Sequence, residues 1–354
     1  MNDLIHVWRE RIRAAAAEGR SLHIRGGGSK DFYGRQAVGE LLDTRMCSGI
    51  VNYEPSELVV TVRAGTPLVE LEATLAARGQ MLAFEPPHFA TGSTIGGCVA
   101  AGLAGPRRAA AGGVRDFVLG ARIIDGRGEL LRFGGEVMKN VAGYDVSRAL
   151  AGSLGTLGLI VDVSLKVLPR PVAEATLRFS MAEAAALHQL NVCAGQPLPV
   201  SASAWRDGVL TLRLSGAKAA VDAATVRLGG ERLSSDVADA FWRGLRDHTD
   251  AFFQADAPLW RLSVPTDALS ASLPGEQLVE WGGAQRWLRS VAPAKEIRAC
   301  AELLGGHATL FRHGERDSAV FHPLPAALMT LQRNLKNAFD PAGVLNPGRL
   351  YEGL

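Results

Sequence analysis

Three runs of glycine constrain this chain more than any other feature. They are Arg25-Gly26-Gly27-Gly28-Ser29-Lys30, Thr91-Gly92-Ser93-Thr94-Ile95-Gly96-Gly97 and Gly152-Ser153-Leu154-Gly155-Thr156-Leu157-Gly158, and all lie in the first 170 residues, which hold 25 of the 40 glycines. Dense glycine permits tight turns and close backbone approach. Three glycines after the short apolar run Leu22-His23-Ile24 can turn successive N–H groups inward as an anion nest. Around the second run, small residues through Gly105 let the backbone lie flat against a planar or tightly packed neighbour. The third run opens a strand rather than a helix and is not G-x-G-x-x-G, so a Rossmann site is disfavoured. No Walker A motif is present. Taken singly, the first run also reads as a mobile surface turn and the second as a tightly packed helix–helix contact; together in one stretch they point to a cofactor cradle.

A chain of 354 residues predicts two domains. A net charge of +2 offers no field for nucleic acid. No apolar run approaches the roughly 20 residues of a membrane helix; Leu157 to Leu168 is broken by Asp162, Ser164 and Lys166. Asp3, Arg9, Glu10, Arg11 and Arg13 predict a first amphipathic helix rather than a signal peptide. Cys47, Cys98, Cys193 and Cys300 are scattered, which suits a reducing cytosol and gives no iron–sulfur pattern. Five of six tryptophans follow residue 170 and predict a bulky rear core. Pro169-Arg170-Pro171 marks the expected boundary.

Leu58–Val62 reads as a strand, followed by a helix capped by Thr66 with Pro67 in its first turn and Gly79 beyond its end. Asp125-Gly126-Arg127-Gly128 predicts a hairpin between Leu119–Ile124 and Glu129–Phe133. Val161, Val163, Leu165 and Val167 alternate with polar residues and predict a half-buried strand closing the front domain. In the rear, Val209–Leu214, Leu259–Val264 and Gln277–Trp281 read as strands. Asp236–Arg246, Ala292–Leu304 and Ala326–Ala338 read as helices. Hairpins mixed with helices predict α+β rather than a parallel doubly wound sheet.

The three glycine runs, in this order, resemble the vanillyl-alcohol-oxidase-type (PCMH) FAD-binding domain. Lys139-Asn140-Val141-Ala142-Gly143-Tyr144-Asp145 and the tail Phe339-Asp340-Pro341-Ala342-Gly343-Val344-Leu345-Asn346-Pro347-Gly348-Arg349 resemble segments of D-2-hydroxyacid dehydrogenases of that superfamily. With its short rear domain, the chain is most similar to the smaller FAD-binding subunits of three-subunit bacterial glycolate oxidases. The resemblance implies residues 1–170 as a PCMH-type domain of two α+β lobes with FAD between them. It implies 171–324 as a smaller antiparallel-sheet α+β cap and 325–354 as a tail returning to the FAD domain. Gly26, Gly27, Gly28, Ser29 and Lys30 would hold the diphosphate. Pro87, Thr91, Gly92, Ser93, Ile95, Gly96 and Gly97 would line diphosphate and flavin, and Gly155 and Ile160 the ribityl–adenine side. Some relatives bond the flavin to a histidine after the first loop; Ser29 and Lys30 stand there, so noncovalent FAD is expected. Gly27→Val is expected to abolish binding, through a positive φ and a blocked diphosphate.

The chain lacks the His-x-His metal pair of catalytic relatives; His307 and His313 are six apart with no adjacent carboxylate, and no metal is expected. A hydroxy-acid carboxylate needs a cation, for which Arg107, Arg108, Arg312 and Arg349 are candidates against a plain surface reading. His88 is the best-placed candidate base, against a core or cap histidine. Asn346 and Arg349 either pack over the flavin or form an ordinary tail turn. The resemblance implies glycolate oxidation to glyoxylate in a complex with a larger FAD-containing subunit and an iron–sulfur subunit, cytoplasmic and peripheral to the inner membrane. A self-sufficient FAD-dependent D-2-hydroxyacid dehydrogenase and a non-catalytic structural subunit are the competing readings.

Overall fold

A computed structural model describes residues 2–135, 145–316 and 320–354. The Lys139–Tyr144 part of the dehydrogenase-like segment lies outside the described residues. The front half is built on a five-stranded antiparallel sheet in the order Ile50–Glu54, Val59–Arg63, Leu159–Lys166, Val118–Ile124, Leu130–Gly134. The last two strands form the hairpin expected around Asp125-Gly126. A parallel pair, Leu22–Arg25 with Glu40–Asp43, packs with the helix Asn2–Glu18 as a second small lobe.

Leu159–Lys166 is not the half-buried strand that its alternation predicts. It sits in the middle of the sheet and seven of its eight residues are buried. The pairing with Val118–Ile124 shifts between Arg122–Asp162 and Ile123–Ile160, leaving Val161 as an extra residue. Such a bulge reverses which face successive side chains take. Leu159 and Val161 therefore join the small lobe's core with Trp8, Ile12 and Leu22, while Val163 and Leu165 join the core beneath the helix Leu68–Ala76. The polar residues are buried with partners: Asp162 accepts from Arg122 Nε at 2.8 Å, and Ser164 pairs with Thr61 at 2.8 Å.

The helix Leu68–Ala76 also departs from expectation. Its N-cap is Pro67, with no side-chain cap. The Thr66 hydroxyl instead accepts the Gly49 N–H at 2.9 Å, and the Leu68 N–H goes to the Ser93 carbonyl at 2.8 Å. That second bond ties the helix start to the second glycine run.

The rear half carries an eight-stranded antiparallel sheet in the order Glu231–Arg232, Ala173–Ser180, Val209–Gly216, Val200–Arg206, Glu276–Glu280, Gln285–Arg289, Leu259–Ser263, His307–Arg312. The helices Ser235–Asp247 and Ala294–Leu303 fall within a few residues of their expected bounds. Trp242, Trp260 and Trp287 are buried, as the tryptophan bias predicts. One apolar cluster crosses between the halves, joining Tyr33, Leu103 and Leu154 to Trp242, Trp287 and Phe311.

The tail folds back onto the front half. After the helix Ala326–Phe339, Leu345 bridges Leu22 in parallel, and the Leu22 N–H donates to the Val344 carbonyl at 2.7 Å. Buried Lys336 holds this return, donating to Asp340 at 2.6 Å, the Thr156 carbonyl at 2.9 Å and the Leu345 carbonyl at 2.8 Å.

Candidate functional site: a glycine-built cradle

The three glycine runs meet. A Cβ on Gly27 would overlap the Gly92 carbonyl, and one on Gly26 would overlap the Thr94 hydroxyl. First and second runs thus approach at a distance that only glycine allows. Gly27 itself does not need positive φ; Gly28 does, at +74°. The expectation for Gly27→Val therefore stands on close approach and not on backbone strain. Gly155, at φ +76°, faces Asn346, where a Cβ would lie 2.7 Å from the Asn346 amide nitrogen.

Two adjoining clefts open between these segments. One is lined by Gly26 to Lys30, Thr94, Gly97, Asn346 and Arg349. The other is lined by Thr44, Gly96, Gly155, Gly158 and Ile160, and shares Gly26, Gly97 and Asn346 with the first. Among the described residues, the N–H groups of Gly26, Gly27, Gly28 and Ser29 have no protein acceptor. Lys30 lines the same cleft. Its ammonium donates to Ser93 Oγ at 2.8 Å and Ser29 Oγ at 3.3 Å, and among the described residues no carboxylate pairs with it. Burial lowers its pKa. Free backbone donors beside an uncompensated ammonium are what an anionic group such as a diphosphate requires, so these residues fit FAD's diphosphate.

The tail closes the cradle. Asn346, 4% exposed, accepts the Ile24 N–H at 2.7 Å and donates to the Leu154 carbonyl at 2.6 Å, joining tail, first strand and third glycine run. Arg349 donates to the Tyr33 carbonyl at 2.6 Å and to the Arg35 carbonyl. Burial and nearby Arg316 push its pKa down to about 10.

The remaining candidates differ in place. Thr91 and Gly92 are exposed, Gly92 with its carbonyl against Gly27. Ile95 is fully buried in the front core, and its N–H donates to the Thr66 carbonyl at 3.0 Å. Pro87 lines a separate aromatic cavity. The His88 ring sits 2.9 Å from the Glu72 carboxylate, and the His88 backbone N–H donates to Asp247 at 3.0 Å; the residue is not among that cavity's walls. Arg107 is committed to Glu85 and Glu174. Arg108 and Arg312 lie over aromatic rings, at 4.5 Å from Trp281 and 4.1 Å from Phe32. Among the described residues no group of three or more His, Cys, Asp or Glu side chains is placed to hold a metal.

The aromatic cavity between the halves had no signal in the sequence. Pro87, Phe89, His248, Arg261, Trp287 and Phe311 contribute to its walls. They come from five segments, of which the strand pairing of the rear sheet brings together those of Arg261, Trp287 and Phe311.

A glycine-built anion cradle on this two-part α+β fold defines a flavin-nucleotide-binding protein of the PCMH class, and residues 8–134 match the family described as FAD binding domain. Over 345 residues the chain is 50% identical to glycolate oxidase subunit GlcE of Escherichia coli (strain K12), covering 98% of this chain and 97% of that one. The chain belongs to the family of glycolate oxidase subunit GlcE. It is also 30% identical over 154 residues to glycolate oxidase subunit GlcD of Bacillus subtilis (strain 168), 43% of this chain and 33% of that one. Among solved structures, an alkyldihydroxyacetonephosphate synthase shares the fold, with a TM-score of 0.67 at 16% identity over 96% of this chain and 73% of that one.

Proposed function

We propose that this chain is an FAD-binding subunit of a glycolate oxidase complex that oxidises glycolate to glyoxylate. The observation that carries the reading is the cradle: free N–H groups of Gly26 to Ser29 in one cleft with Lys30, in a chain of the GlcE family. Bound FAD would supply the two-electron acceptor. Gly26 to Lys30 and Ser93 would hold its diphosphate, Gly96 and Gly97 would let it approach the backbone, and Gly155 and Ile160 would line its ribityl–adenine side. Asn346 and Arg349 would brace this wall from the tail. Neither Ser29 nor Lys30 offers the ring nitrogen of a flavinylated histidine, so the FAD is noncovalent. Residues 1–170 with the returning tail 325–354 form the FAD-binding unit, and 171–324 the cap.

The electrons must leave, and the partners supply the route. The complex joins this chain to a larger FAD-containing subunit and an iron–sulfur subunit, at the cytoplasmic face of the membrane. No helix among the described residues is long and apolar enough to cross a membrane, so membrane contact comes through the partners. Affinity purification from the native cell tests this. Glycolate-dependent dye reduction by the recovered complex, with iron present, supports the reading. A lone chain oxidising glycolate at full rate makes it a self-sufficient dehydrogenase. A chain recovered without flavin makes it a structural subunit.

A further inference from the structure

The rear sheet carries a groove that the cradle does not use. It encloses about 640 Å³, well within the size of ligand pockets. Its floor follows from the strand register. Arg178 lies opposite Thr211 and Ser180 opposite Val209, and across the next strand these meet Ala204 and Arg206. Residues two apart on a strand share a face, so all six stand on one side of the sheet. The helix Ser235–Asp247 packs on the other end of that face. There Trp242 Nε1 donates to the Thr176 hydroxyl at 3.0 Å, and the Arg213 guanidinium lies 5.0 Å from the Trp242 ring. Phe241 and Leu245 of this helix form the groove's wall, with Leu278 from the strand beside Val200–Arg206.

Arg178 is half-buried in this floor, and among the described residues its guanidinium has no hydrogen-bond or ion-pair partner. The hydroxyl of Thr211, a residue 2% exposed, has none either. The other charges of the groove are committed or exposed. Arg206 pairs with Asp250 and, at 3.2 Å, with Asp207, while Glu231 is exposed. A free guanidinium takes a carboxylate through paired charged hydrogen bonds, and the hydroxyl adds a donor. Phe241, Leu245, Leu278 and Ala204 offer no polar side-chain atom, so the rest of a fitting ligand is apolar. Glu231 and Asp207 oppose a second negative charge, which favours a monocarboxylate over a phosphate or a dicarboxylate.

We propose that this groove binds a small monocarboxylate with an aromatic or branched apolar body, Arg178 and Thr211 taking the carboxylate and Phe241, Leu245 and Leu278 the body. The site is separate from the cradle and shares no residue with its clefts. Leu245 and Leu278 also belong to the apolar cluster that crosses between the halves. The ligand is therefore an effector: it steadies that junction without touching the cofactor.

The test uses the full chain. Phenylacetate and 2-phenylethanol, the same body without the charge, are titrated by calorimetry, and flavin absorbance reports cofactor content. Phenylacetate binds, and the alcohol binds about tenfold more weakly or worse, as expected for a lost charged hydrogen bond. Arg178→Gln brings phenylacetate down to the affinity of the alcohol, and Phe241→Ala weakens both ligands several-fold. Both variants keep the flavin content of the unaltered chain. No binding of phenylacetate, or equal affinity for acid and alcohol, overturns the assignment on the unaltered chain alone. So does unchanged phenylacetate affinity in Arg178→Gln. Loss of flavin from Arg178→Gln overturns the separation from the cradle. A flavin-free chain that still binds phenylacetate through Arg178 keeps this site and refutes only the function proposed above.

Discussion

Glu280 shows how burial shapes a single carboxyl group. Burial pushes its pKa up to about 7, while donors from Trp287 and Gln285 oppose the rise. A carboxyl raised on folding binds its proton more tightly in the native state, so stability falls as pH climbs from the unfolded value near 4.5 towards 7. Both donors bond the same oxygen, which a glutamine can supply. Glu280→Gln should raise the melting temperature at pH 8, by an amount corresponding to roughly 3 kcal/mol at most. The gain should vanish by pH 4. Scanning calorimetry across this range checks the sign. Lys336 presents the opposite case, since its ion pair with Asp340 is sealed in the tail. Lys336→Met leaves a buried carboxylate without its cation and should cost about 3–5 kcal/mol in urea denaturation.

At the scale of elements, the cradle depends on how closely the first two glycine runs pass. Gly27→Ala adds one methyl group where the Gly92 carbonyl already sits. Either the loop moves or the approach is lost, so flavin content should fall at least tenfold while the circular dichroism of both sheets persists. Much of this was legible beforehand, because glycine is visible in sequence and its uses are few. The hairpin at Asp125-Gly126 and the rear strands were legible for the same reason: turn chemistry and alternation are local. What escaped is non-local. A bulge at Val161 appears only when the neighbouring strand's register is known. Thr66 turned from its expected cap to Gly49, a partner 17 residues back. Arg261 and Trp287 became neighbours through a strand pairing no short window contains.

At the scale of the whole molecule, the polar part of the junction between the halves centres on Glu85. Arg213 of the rear sheet donates to it at 2.8 Å and Arg107 of the front at 3.3 Å. Burial alone would raise the Glu85 pKa, but the two guanidiniums hold it below the usual carboxylate range. That contribution is full above pH about 4.5 and is lost as pH falls through the depressed native value, so acid should loosen the junction first. Hydrogen exchange at pH 3 should show faster exchange around Glu85 than in the cores of either sheet. The cradle and the tail that braces it lie on the front side of this junction. The most direct measurement is the absorbance spectrum of the purified chain before and after acid precipitation. The account predicts a yellow protein that releases one FAD per chain into the supernatant. A colourless protein would contradict the cradle's assignment, and flavin retained in the pellet would contradict its noncovalent attachment.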